Sequence, residues 1–173
     1  MENTRFANSR FPNSRFPNLR FAVTALGLSL FSLAASAQSA APVLTAYYGV
    51  KDALVATDAA KAKMQAMTLS SALTRLDATK LSTADKKALA MAKTHAAAIG
   101  KTTDVDTQRE QFEGLSTSMI SLAKATKPAK AYVQFCPMAA EGKGASWLSD
   151  KKEVRNPYYG DKMLKCGSVK EEI

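Results

Sequence analysis

Cys136 and Cys166 are the two cysteines of the chain, and each has a methionine beside it. Met138 follows Cys136 by two positions, and Met163 precedes Cys166 by three. Thiolate and thioether sulfurs are soft donors, which select Cu(I) or Ag(I) over magnesium, calcium or manganese. Zinc would use the cysteines but gains little from thioethers, and the chain offers it one histidine, His95. If the two stretches meet, a C-x-M and an M-x-x-C pair bring four sulfurs together: Cys136, Met138, Met163 and Cys166. The same cysteines have a second chemistry. Two cysteines in an exported protein commonly pair, and a Cys136–Cys166 disulfide closing a loop of about 30 residues contributes roughly 3–4 kcal/mol on the chain-entropy estimate. The methionines would then pack against Trp147 and the tyrosines. Both readings stand at this level: a metal site shielded by Trp147, or a disulfide-stapled module without metal that docks on another protein through NPYYG and its aromatics.

The segment that must position these sulfurs, residues 131–167, differs in texture from the chain before it. It holds the only tryptophan, Trp147, and four of the eight glycines. Tyr132, Val133 and Phe135 favour a short strand through Gln134. Gly142 and Gly144 allow a turn, after which Trp147 and Leu148 can plug an apolar surface. Asn156-Pro157 and Gly160 mark another turn. Residues 164–169 can return to the first strand as a short β-ribbon packed on the helical body.

That body reads as four helices. Pro42 suits a helix start, and Val43, Tyr47, Val50 and Leu54 line one face. Thr57-Asp58 offers a break and an N-cap, followed by Ala62, Ala66, Leu69, Leu73 and Leu76 in the same rhythm. Ser82 and Asp85 resemble a capping box; Ala88, Ala92, Ala96 and Ile99 form the face behind it, and Gly100 is the expected C-terminal stop. The fourth helix opens near Asp104 or Asp106, carries Val105, Phe112, Leu115, Met119 and Leu122 inward, and ends before Pro128. Short connections predict a mainly α protein, an antiparallel up-and-down four-helix bundle with a C-terminal extended segment.

Ahead of the bundle, Arg5, Arg10, Arg15 and Arg20 precede an apolar run, residues 21–35, and Ala35-Ser36-Ala37 supplies small residues for cleavage after Ala37. The run is shorter than the roughly 20 residues of a spanning helix. Residues 1–37 therefore read as a cleaved export signal. Residues 38–173 read as a single periplasmic domain with no stable membrane anchor. Losing four arginines and Glu2 lowers the formal charge from +9 to +6. The remaining basic residues are scattered among acids, which argues against a nucleic-acid partner.

His95 is read as a boundary histidine on the third helix with its ring nitrogens satisfied by neighbours, against a metal or proton-carrying role. Met64, Met67, Met91 and Met119 are read as gap-filling core. There is no C-x-x-C pair, metalloprotease motif or glycine-rich phosphate loop, so an enzyme is not expected.

The stretches QFCPMA, GKGASWLS, VRNPYYGDKM and LKCG, with KDALVATDA and DTQREQFEGLS upstream, resemble an exported bacterial family known only as a domain of unknown function. Members of that family occur alone and fused to periplasmic adaptor subunits of copper- and silver-type heavy-metal efflux pumps. The resemblance implies soft-metal handling or resistance, with Cys136, Met138, Met163 and Cys166 as the family's cysteine–methionine positions. A periplasmic efflux component or another envelope protein is the implied partner.

Overall fold

The computed structural model describes residues 40–173, so the export signal expected over 1–37 lies outside the described residues. Four helices come first: α1 (Ala41–Val55), α2 (Ala59–Arg75), α3 (Thr83–Ile99) and α4 (Val105–Thr126). Their boundaries follow from local chemistry. Thr57 takes a left-handed backbone (φ 56°) that ends α1, and the Asp58 carboxylate accepts the Lys61 N–H to start α2. Ser82 caps α3 by accepting from the Asp85 N–H at 3.1 Å while its hydroxyl donates to the Asp85 carboxylate. Asp104 caps α4 through the Thr107 N–H, and Lys127 closes it in the left-handed region.

Successive helices are spatial neighbours, and α1 also meets α4, which closes the bundle. The core holds Tyr47, Leu54, Leu69, Leu73, Ile99, Phe112, Leu115 and Met119, so all four expected faces point inward. Ala62 and Ala66 of α2 and Ala92 and Ala96 of α3 are fully buried. These small side chains let the two backbones approach closely. Among the described residues no helix is long and apolar enough to cross a membrane.

The C-terminal part forms a three-stranded antiparallel sheet, β1 (Tyr132–Cys136), β2 (Ala145–Ser149) and β3 (Ser168–Glu172), in the order β2-β1-β3. Trp147 and Leu148 do plug the core, but they do so from a strand: Trp147 pairs with Gln134 across β1. The return strand begins at Ser168, later than expected, because a 3-10 helix (Gly160–Met163) and the turn after it occupy 160–167. The sheet packs on α4. Tyr47 of α1 fixes the seam, its hydroxyl bonding Ser116 of α4 at 2.7 Å and accepting the Leu148 N–H of β2 at 3.1 Å. Burial pushes the Tyr47 phenol well above its ordinary pKa.

One expectation fails here. Met119 is core, but Met64, Met67 and Met91 are exposed, because each lies on the outer side of α2 or α3, away from the alanine seam. Gly100 does stand at the end of α3, yet with an ordinary helical φ of −67°. Its lack of a side chain matters for a different reason: a Cβ there would lie 3.3 Å from Cγ of Met67.

Candidate functional site

Cys136 is the last residue of β1, paired with Ala145 of β2 and fully buried. Cys166 lies 30 positions on, half-buried, in the turn that leads into β3. Because β1 is the central strand and β3 pairs with it, the fold carries the two together, and their Sγ atoms lie 2.6 Å apart. Hydrogen bonding with Cys136 is the main influence holding the Cys166 thiol above its ordinary pKa; the Met138 backbone N–H pulls the other way. The Cys166 N–H bonds the Met163 carbonyl at 3.0 Å. Through this backbone bond Met163 borders Cys166, while Met138 follows Cys136 by two positions. The Met138 side chain is 54% exposed, whereas Met163, at the end of the 3-10 helix, is half-buried.

Asn156 organises this turn, a role its N-P dipeptide did not reveal. It is fully buried, and its Nδ2 donates to the Cys166 carbonyl at 3.0 Å. Its Oδ1 accepts the Tyr158 N–H, and its backbone bonds Leu164 and Gly160. The Tyr159 hydroxyl donates to the Met138 carbonyl, tying NPYYG to the Cys136 side of the site. Gln134 braces the adjacent turn by directing its Nε2 at the carbonyls of Lys151, Lys152 and Glu153. The NPYYG aromatics face inward in part: Asn156, Pro157 and Tyr158 are buried and Tyr159 is half-buried. The Trp147 ring is buried beside Gly167 in the same turn.

Gly167 follows Cys166 at φ 136°, where a Cβ would stand 2.7 Å from the Phe135 carbonyl oxygen and 3.1 Å from the Trp147 ring. Gly167→Ala is expected to destabilise the fold by about 1–3 kcal/mol through backbone strain and to push Cys166 away from Cys136. Urea melts and thiol-oxidation rates of the variant check both effects.

His95 lies between α3 and α4 with Nδ1 3.0 Å from Oε1 of Gln111, half-buried, as a boundary histidine. Among the described residues, no three His, Cys, Asp or Glu side chains gather into a ligand group.

A four-helix bundle carrying a three-stranded sheet with a cysteine pair at the end of its central strand defines the class of this protein. The chain belongs to the family described as Protein of unknown function (DUF3347), whose model matches residues 43–131. The match covers α1 to α4 and stops before β1, so the cysteine–methionine segment lies beyond it. No curated protein and no solved structure matches the chain.

Proposed function

We propose that the protein, in its reduced state, holds a soft monovalent ion, Cu(I) or Ag(I), between Cys136 and Cys166 with Met138 and Met163 as thioether donors. It serves metal handling or resistance in the bacterial periplasm, in company with an efflux component or another envelope protein, and carries out no catalysis. The observation that supports this reading is the convergence of the two thiols, with the Met163 carbonyl bonded to the Cys166 N–H and Met138 two residues beyond Cys136. The donor set is soft throughout, which favours Cu(I) and Ag(I) over zinc. To admit an ion between them the thiols open from their present contact. Cys166 is the side that moves, since it sits in a half-buried turn while Cys136 is fixed in β1.

The test uses the methionines, because cysteine variants lose the metal and the disulfide together. Replacing Met138 and Met163 by leucine keeps volume and apolarity, so folding changes by less than about 1.5 kcal/mol. Cu(I) affinity, measured by competition with a chromophoric chelator, is expected to fall about tenfold or more, a loss of about 1.4 kcal/mol or more. Unchanged affinity removes the methionines from the site, and no Cu(I) binding by reduced wild type ends the metal reading.

The second reading is a disulfide-stapled, metal-free envelope module, favoured by the same sulfur contact and by the burial of Cys136. A thiol assay on protein prepared without reductant separates the two resting states: two titratable thiols support the ligand pair, and none supports the staple.

A further inference from the structure

The large apolar side chains that stand exposed among the described residues are Met64, Met67, Met91 and Met138. Every leucine, isoleucine, valine, phenylalanine, tyrosine and tryptophan of the same region is buried or half-buried. Each large apolar side chain exposed on this surface is thus a thioether. Met138 belongs to the site described above. Met64 and Met67 do not: they lie on α2, 60% and 58% exposed, and three positions apart. That spacing sets their Cβ atoms about 5–6 Å apart on one helical face, and three flexible torsions let each thioether reach the space between them. Met67 is further placed by α3, lying across Gly100, where a side chain would crowd its Cγ.

We propose that Met64 and Met67 form a second, all-thioether site for a soft monovalent cation on the outer face of α2. It shares the soft-ion chemistry proposed for the cysteines but uses none of their residues. The ion is held by two neutral donors, so it binds more weakly than at thiolates and exchanges readily. No proton is displaced, because a thioether carries none. Occupancy therefore does not change with pH, whereas binding at the cysteines must release thiol protons.

Met91 supplies an internal control, a methionine 43% exposed and alone on α3. Ag(I) is titrated into the whole chain labelled with ¹³C at the methionine methyl groups, and each methyl is followed separately by NMR. Met64 and Met67 are expected to shift together and saturate with one shared ion, at Ag(I) concentrations about tenfold below those that move Met91, because the second thioether binds intramolecularly. Their midpoint is expected to be the same at about pH 5.5 and about pH 8, on either side of the ordinary histidine range. Met64→Leu, a neutral change on an exposed helix, is expected to bring the response of Met67 down to that of Met91. Shifts of Met64 and Met67 that come no earlier than those of Met91, or that come independently of each other, overturn the proposal. Each methyl reports on its own, so failure of metal binding at Cys136 and Cys166 shows up separately, at Met138 and Met163.

Discussion

Oxidising the Cys136–Cys166 pair is expected to raise the unfolding free energy by roughly 3–4 kcal/mol over the reduced protein, the chain-entropy value for a closed loop of this length. The loop spans 30 positions and contains β2, the NPYYG turn and the 3-10 helix. The bond restrains their ensemble in the unfolded chain. In the folded state little has to move, because the sulfurs are already in contact at the junction of the central strand and the turn before β3. Urea melts with and without reductant measure the difference, and Cys166→Ser should melt at the same urea concentration in both. Equal midpoints for reduced and non-reduced wild type would show that the pair does not close.

Arg109→Met is expected to cost about 2–3 kcal/mol, the scale of losing a buried charged donor and orphaning its acceptors. The guanidinium is buried between α4 and the turn, donating to the Pro157 carbonyl at 3.1 Å, the Leu54 carbonyl at 3.4 Å and the Thr57 hydroxyl at 3.2 Å. One side chain thus joins the end of α1 to the first residues of NPYYG. Its ion pair with Asp106 contributes little by comparison, being 3.5 Å long with a largely exposed carboxylate. Asp106→Asn should therefore leave the urea midpoint nearly unchanged, while Arg109→Met lowers it and loosens Cys166. Similar losses in the two variants would place the effect in the ion pair and not in the carbonyl contacts.

Arg109 also shows where the sequence stops being readable. The four helices were legible because their inward residues recur at helical spacing and because α2, α3 and α4 start on Asp or Ser caps and α1 on Pro42, signals that act locally. Residues such as Gln108, Arg109, Ser116 and Ser118 look like a solvated face by the same rule, yet all are buried. Helix α4 is covered on two sides, by helices and by the sheet, and single-face periodicity cannot express a second contact made by residues far along the chain. The approach of Cys166 to Cys136 could be anticipated from a return strand beside β1, though Cys166 itself lies in the turn before β3. Asn156 as its anchor could not, since its partners are backbone groups fixed by a turn 10 positions away. The exposed methionines of α2 and α3 were misread because methionine has no fixed preference for inside or outside in a helix, and alanine had already taken the seam.

The hydroxyl of Tyr47 sets a limit on transplanting the sulfur-bearing sheet into another scaffold. A boundary drawn after Ala131, where the family match ends, looks like a natural cut point. A graft cut there would leave behind the acceptor for the Leu148 N–H, which comes from α1 and is itself held by Ser116. The recipient would then bury an unpaired backbone donor in the strand beside Cys136, at about 1–3 kcal/mol. A chimera that preserves the geometry of the site must carry Tyr47 and Ser116 along with the segment, and with them the packing of α1 on α4. The smallest portable unit is the whole described domain.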